Sequence, residues 1–127
     1  MSEPVRALIV DDEPHGRRGV RIRLDRTPEV EVVGECANGR EAVQAIAELR
    51  PDLVFLDIQM PGLDGFGVIE TVGPDAMPVT VFVTAYDQHA LRAFDAQALD
   101  YLLKPIDDDR FEATVARAVR RVRTDAQ

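Results

Sequence analysis

Apolar runs alternate with helical stretches along the chain, and four of the five runs end at a polar or charged residue. The runs predict five strands, over residues 5–10, 30–36, 53–56, 79–83 and 99–103. Runs with little polar alternation, such as LVFL at 53–56, are typical of strands that helices cover on both faces of a parallel sheet. The second run, VEVVGEC, is more polar, which favours a place at the sheet edge.

Helical periodicity predicts helices between the strands. Residues 40–50 carry one apolar face, with Asn38 as the N-cap and Glu41 as its capping-box partner. The last helix repeats apolar residues at helical spacing from Phe111 to Val122. Acidic residues precede this repeat and arginines follow it, which matches the helix dipole.

Two shorter helices are predicted after the third and fourth strands. Residues 64–72 begin at Asp64 and residues 87–95 begin at Asp87, and aspartate is a favourable N-cap residue. We expect the apolar side chains of the second of these helices to face the sheet. They are Ala90, Leu91 and Phe94.

The first connection between strands carries conflicting signals. Residues 20–24 alternate with period two, which favours a strand, and Gly16 and Gly19 disfavour a helix. A crossover between parallel strands nevertheless requires a helix, and Pro14 suits a first helical turn. We therefore predict a helix here, which makes the chain one doubly wound α/β domain with a five-stranded parallel sheet and five helices.

Composition excludes several classes of protein. A length of 127 residues suits one domain, and the single cysteine, Cys36, cannot form an intramolecular disulfide. No apolar run approaches the ~18 residues of a membrane span. The N-terminus turns acidic where a signal peptide would stay apolar, so we expect a cytoplasmic protein without membrane contact. The net charge of −8 argues against direct nucleic-acid binding.

Polar side chains with complementary chemistry follow the predicted strands. Each would suit a turn or a cap on its own, but the carboxyl ends of parallel strands share one sheet edge, where ligands bind. The residues are Asp11, Asp12, Asp57, Thr84 and Lys104, the only lysine of the chain. Clustered carboxylates need opposing charge, which Mg²⁺ (or Mn²⁺) and an ammonium group would supply. Such a set would stabilise a phosphoryl group during its transfer to an aspartate.

Four segments resemble the receiver domain of bacterial response regulators. They are LIVDDEP (8–14), DLVFLDIQMPGLDG (52–65), VFVTAYD (81–87) and ALDYLLKPI (98–106). The resemblance implies a flavodoxin-like (CheY-like) fold with strand order 2-1-3-4-5. It also implies that residues 1–127 form one receiver domain, with a core of about 4–123, and that the chain holds no output domain.

The resemblance assigns roles to the residues at the strand ends. Asp57 would be the phosphoacceptor, and Lys104 would contact the phosphoryl group. Mg²⁺ would bind Asp12, Asp57 and the backbone carbonyl of Gln59 directly, whereas Asp11 would act mainly through water.

Further roles follow from the same resemblance. Thr84 and Tyr101 would form a switch pair, and Gln59 and Tyr86 would tune the dephosphorylation rate. A cis peptide is expected before Pro105. Such a domain assists only its own phosphorylation and dephosphorylation, so we do not expect an enzyme that acts on a free metabolite.

The implied partner is a sensor histidine kinase. The segments ALDYLLKPI and TAYDQHALRAF look most like the LytTR-type subgroup, whose members usually carry a C-terminal DNA-binding domain. We therefore expect control of transcription through a domain absent from this chain, and favour this over a single-domain regulator. Phosphorylation would promote a homodimer through the fourth helix, fifth strand and fifth helix. Candidate contacts are Arg92, Asp100, Arg117 and Arg120.

Three other interpretations fit the sequence less well. A haloacid-dehalogenase-type phosphatase would need a second aspartate at the position of Gln59. A flavodoxin-like module that binds FMN would need a first loop that accepts phosphate, and residues 11–13 are all acidic. A receiver that is never phosphorylated would not need the full acidic set. His15 and His89 are expected on the surface, and Cys36 in the core.

Overall fold

A computed structural model describes residues 3–126, so Met1, Ser2 and Gln127 of the predicted domain lie outside the described residues. Strands and helices alternate as predicted. The strands are β1 (Val5–Val10), β2 (Val30–Cys36), β3 (Leu53–Leu56), β4 (Val79–Thr84) and β5 (Asp100–Leu103). The helices are α1 (Pro14–Asp25), α2 (Gly39–Leu49), α3 (Gly65–Val72), α4 (Ala90–Asp95) and α5 (Asp108–Asp125), with a short 3-10 helix (Pro74–Ala76) before β4.

The five strands form one parallel sheet in the order β2-β1-β3-β4-β5. This confirms the predicted order and the edge position of the polar strand β2. The three inner strands are buried over almost their whole length, because helices cover both of their faces. The carboxyl ends of all five strands therefore reach one edge of the sheet.

Two apolar layers enclose the sheet. Helices α1 and α5 pack on one face, where Leu24 and Phe111 are buried and the ring of Phe111 stacks on Phe55. Helices α2, α3 and α4 pack on the other face, around Ile46 and Phe66. Among residues 3–126, the structure contains no helix that is both long and apolar enough to cross a membrane.

Local capping contacts confirm several helix starts. Pro14 opens α1, although the period-two pattern that follows it favours a strand. Asn38 Oδ1 accepts a hydrogen bond of 2.8 Å from the Glu41 N–H. The capping box is modified, since the Glu41 carboxylate accepts from the N–H of Ala37, one residue before the cap. Asp64 Oδ1 accepts from the Gly67 N–H at 2.8 Å, which confirms this residue as the cap of α3.

Helix α4 differs from the prediction. It begins at Ala90 rather than Asp87, and the residue before it, His89, makes no side-chain cap. Its buried residue is Ala93, whereas Ala90 is exposed and Leu91 and Phe94 are 76% and 78% exposed. The predicted apolar face was therefore wrong. The helix is only six residues long, so it packs against the sheet through a single small side chain, that of Ala93.

Candidate functional site

The predicted site residues meet at the carboxyl edge of the sheet. Pairing of the inner strands sets Val10 beside Leu56, and Leu56 beside Phe82. The chain therefore leaves β1 and β3 side by side, and the Asp57 N–H donates to the Val10 carbonyl at 2.9 Å. The Lys104 N–H donates to the Thr84 carbonyl at 2.8 Å in the same way. Parallel register thus brings together residues that lie far apart in sequence.

Three carboxylates form the floor of the site. One carboxylate oxygen from each of Asp11, Asp12 and Asp57 lies within 4.8 Å of the others. Asp11 and Asp57 are buried, with 4% and 5% of their surface exposed, and Asp12 is half-buried. Asp11 is oriented locally, since its Oδ1 accepts a hydrogen bond of 2.9 Å from the Glu13 N–H.

Lys104 supplies positive charge to the two buried carboxylates. Its Nζ lies 2.7 Å from Asp11 Oδ2 and 3.3 Å from Asp57 Oδ2. Burial lowers the pKa of Lys104, but the hydrogen bond to Asp11 and the charges of Asp57 and Asp11 outweigh it and raise the pKa above its usual value. The ammonium is therefore fully charged at neutral pH. The peptide between Lys104 and Pro105 is cis, as predicted.

Asp57 is the least satisfied of the three carboxylates. Its pKa is raised, first because burial disfavours the charged form and further because of the Asp11 charge, although Lys104 opposes the shift. The nearby Thr84 hydroxyl also opposes the shift. Among residues 3–126, however, no group lies in hydrogen-bonding geometry to the buried Oδ1 of Asp57. A buried carboxylate oxygen without a partner carries a desolvation penalty that a bound cation or a covalent substituent would remove.

The donor set of this floor fits a hard divalent cation. Three carboxylates offer oxygen ligands, which Mg²⁺ and Mn²⁺ accept, and one lysine does not balance their combined charge. Asp57 lines a cleft together with Asp12, Gln59 and Lys104. The residues present therefore fit such an ion.

Thr84 and the two tyrosines form one connected group beside this floor. Thr84 ends β4 and is completely buried, and its Oγ1 accepts a contact of 3.4 Å from the Tyr86 N–H. The Tyr101 hydroxyl donates to the Tyr86 carbonyl. The Tyr101 ring is half-exposed and lies 6.4 Å from the Phe82 ring, centroid to centroid. The backbone of Tyr86 therefore lies between the side chains of Thr84 and Tyr101.

One contact of the cleft wall was not predicted. His89 is half-buried, and its Nε2 lies 2.9 Å from the side-chain nitrogen of Gln59. The same ring meets the Phe66 ring edge-on, with centroids 6.1 Å apart. The expectation of a surface histidine missed this pairing, because no local pattern links residues that are 30 positions apart.

The comparison with protein families identifies the chain. A family model described as the response regulator receiver domain matches residues 7–116. The chain belongs to this family. It is a receiver domain of the kind found in two-component response regulators, a family of regulators rather than of metabolic enzymes. Receiver domains generally bind Mg²⁺ at an acidic pocket, and this chain has an aspartate cluster at the carboxyl edge of its sheet.

Curated relatives extend beyond the receiver domain. The transcriptional regulatory protein BtsR of Shigella flexneri is 49% identical over 113 residues, which are 89% of this chain and 47% of that protein. The protein of the same name from Escherichia coli (strain K12) is 48% identical, with the same shares covered. The chain thus spans about half the length of the curated relatives it matches.

Solved receiver domains share the fold. The receiver domain of AraT from Geobacillus stearothermophilus superposes with a TM-score of 0.86 at 32% identity, covering 96% of this chain and 98% of that one. The response regulatory domain of mrkE from Klebsiella pneumoniae also gives 0.86, at 27% identity, covering 94% and 98%. These likenesses confirm the predicted CheY-like architecture.

The candidate dimer contacts are partly engaged within the receiver domain itself. Asp100 pairs with Arg110 at 2.7 Å and Arg117 at 3.3 Å, and it accepts a hydrogen bond from Thr114. Burial raises the pKa of Asp100, but these donors outweigh it, and the net pKa is lowered. Arg92 lies on the Phe66 ring, with its guanidinium carbon 4.0 Å from the centroid. Arg120 is exposed on α5.

Proposed function

We propose that Asp57 accepts a phosphoryl group and that this modification is the signal the domain transmits. The observation that carries the proposal is the environment of Asp57. One of its oxygens is buried without a hydrogen-bond partner in the described part of the chain, and the other lies 3.3 Å from Nζ of Lys104, the only lysine in the sequence. An Asp57 oxygen forms the new bond to phosphorus. The bond from phosphorus to the donor atom breaks, and the electron pair of that bond leaves with the donor.

Neighbouring side chains have separate parts in this transfer. The Lys104 ammonium already contacts Asp57 and would follow the charge onto the phosphoryl oxygens. The Thr84 hydroxyl would donate to the same group, and the Tyr101 ring would then move inward. Bound Mg²⁺ would be held by Asp12, Asp57 and the Gln59 backbone carbonyl, with Asp11 acting through water. It would supply charge neutralisation for the phosphoryl oxygens.

The proposed chemistry is confined to the domain itself. Gln59 and Tyr86 would tune the rate at which the phosphoryl group is lost to water. Both side chains are exposed and line the cleft that leads to Asp57, which supports their proposed role in dephosphorylation. The domain would assist its own phosphorylation and dephosphorylation and transform no free metabolite.

The proposed partners belong to a two-component system. A sensor histidine kinase would donate the phosphoryl group, and an output domain outside this chain would act on transcription. The names of the relatives, transcriptional regulatory proteins, support that output. The likeness of segments 84–94 and 98–106 to LytTR-type regulators supports a DNA-binding domain of that type. The domain bounds 1–127 and the cytoplasmic location stay predictions.

Phosphorylation would also promote a homodimer through α4, β5 and α5. Leu91 and Phe94 of α4 are exposed, and Leu103 of β5 is 45% exposed. Exposed apolar side chains are typical of protein interfaces when they form a patch, and the exposure of these residues on α4 and β5 supports the proposal. Because Asp100 is already paired with arginines of the same domain, we expect these apolar residues to make the main contacts of the proposed dimer.

Phosphorylation with a small donor tests the proposed function. Acetyl phosphate and Mg²⁺ should add the mass of one phosphoryl group to the wild-type chain and none to Asp57→Ala. The matched control is Asp75→Ala, since Asp75 is exposed on the 3-10 helix, away from the cleft. Equal labelling of the wild type and Asp57→Ala would overturn the assignment of Asp57.

A further inference from the structure

The contact between Gln59 and His89 joins the phosphorylation site to the start of α4. Gln59 follows the proposed phosphoacceptor by two residues, and its side chain turns across the cleft wall to reach the imidazole at 2.9 Å. A neutral imidazole has one ring nitrogen that accepts a hydrogen bond, and the carboxamide nitrogen can donate to it. The contact therefore ties the side chain of Gln59 to one of the residues that line the cleft.

Packing of the His89 ring allows this residue to hold the Gln59 side chain in place. Its ring packs edge-on against Phe66, which is buried on α3 and lies 5.2 Å from the Phe82 ring of β4. Arg92 covers the Phe66 ring through a cation–π contact. The His89 ring is thus half-buried against a packed aromatic side chain, whereas the Gln59 side chain is exposed. The geometry makes His89 the fixed partner and Gln59 the mobile one.

A free carboxamide at this position has chemistry that would shorten the life of a phosphoryl group. It carries both donors and an acceptor, so it can orient a water molecule for attack, as glutamine does in some phosphate-hydrolysing proteins. We propose that His89 is a positioning residue that holds the Gln59 side chain against the cleft wall and so prolongs the phosphorylated state of Asp57. This inference rests on the proposed function.

The size of the effect follows from the strength of one exposed hydrogen bond. Loss of the His89 imidazole should release Gln59 and speed hydrolysis by about two- to tenfold, the bias that a hydrogen bond of this kind gives to an equilibrium. The effect should need Gln59, because His89 acts only through it. In chains that carry Gln59→Ala, removal of His89 should therefore leave the hydrolysis rate unchanged.

The test is a double-mutant cycle on the lifetime of the phosphorylated chain. The full chain is phosphorylated with acetyl phosphate, the donor is removed, and loss of the phosphoryl group is followed by mass. The variants are His89→Ala, Gln59→Ala, the double variant and His89→Gln, whose carboxamide can still hydrogen-bond to Gln59. The control is Gln88→Ala, an exposed neighbour in the same turn.

We expect faster hydrolysis in His89→Ala alone, a lifetime restored toward the wild-type value in His89→Gln, and no change in Gln88→Ala. An unchanged lifetime in His89→Ala would overturn the inference, and so would the same acceleration in the Gln59→Ala background. Both results would leave the proposed function standing. Failure of the wild-type chain to take up any phosphoryl group would overturn the proposed function and this inference with it.

Discussion

Lys104 and Asp11 form an ion pair of 2.7 Å between Nζ and Oδ2, although 93 positions separate them. The same ammonium lies 3.3 Å from Asp57, so one lysine serves two buried carboxylates. Removal of either carboxylate, or addition of a cation, changes the charge balance of the whole site. The first two predictions follow from this balance.

Mg²⁺ should stabilise the folded domain. A cation that binds only the folded state raises the free energy of unfolding by about 2.7 kcal/mol at a concentration 100 times its dissociation constant. The melting temperature should therefore rise on titration with Mg²⁺ and fall again with a chelator. The rise should shrink in Asp12→Ala and persist in Asp75→Ala. A melting temperature that stays unchanged in millimolar Mg²⁺ would contradict the proposed metal site.

Replacement of Asp57 by asparagine should stabilise the metal-free domain at neutral pH. The charged form of Asp57 is buried with one oxygen unpartnered, and its pKa is raised chiefly by burial. Asparagine removes that charge but keeps a polar group of the same shape, so the free energy of unfolding should increase by the part of the desolvation penalty that is due to the charge. Urea denaturation in the presence of a chelator measures the difference.

The same substitution should have a characteristic pH dependence. Between the unfolded and the raised folded pKa of Asp57, the Asp57 carboxyl binds more protons in the folded state, so its contribution to wild-type stability falls as pH rises through this window. The gain in the free energy of unfolding of Asp57→Asn over the wild type should therefore be largest above the folded pKa of Asp57. It should diminish on acidification toward the unfolded pKa. A stability difference between Asp57→Asn and the wild type that grows on acidification would show that folding lowers the pKa of Asp57.

Polar substitutions on α4 should block the proposed dimer. Leu91 and Phe94 are exposed, so Leu91→Ser and Phe94→Ser should leave the monomer folded while removing apolar interface area. Sedimentation with beryllofluoride, a phosphoryl mimic, should show a dimer for the wild type and a monomer for these variants. The control is Ile22→Ser, an exposed apolar residue on α1. A wild-type chain that stays monomeric with the mimic would refute this surface.

Cys36 should be inert in the folded domain. Burial raises the pKa of its thiol to about 11, with a further contribution from the charge of Glu41. Only the thiolate reacts, and its population at neutral pH is then very small. A chromogenic disulfide reagent should label Cys36 slowly in the native domain and rapidly in denaturant. Rapid native labelling would mean that the end of β2 opens readily.

Local sequence signals predicted most of the fold because they depend on near neighbours. Asn38 and Asp64 cap their helices through contacts three residues ahead, which the sequence displays directly. The predicted start of α4 was wrong because the position of this helix depends on residues that are distant in the sequence. The turn before it is held by long-range contacts, from Tyr101 to the Tyr86 carbonyl and from Gln59 to His89, which outweigh the capping preference of Asp87.

The sequence by itself determined the βα alternation, the parallel sheet and the edge at which Asp11, Asp57 and Lys104 meet. Periodicity and the topology of parallel strands suffice for that placement. Only the tertiary structure decided which oxygen of Asp57 lacks a partner, which carboxylate Lys104 approaches most closely, and which partner His89 holds. These outcomes depend on side-chain directions and distances between elements, and packing of the whole domain sets those.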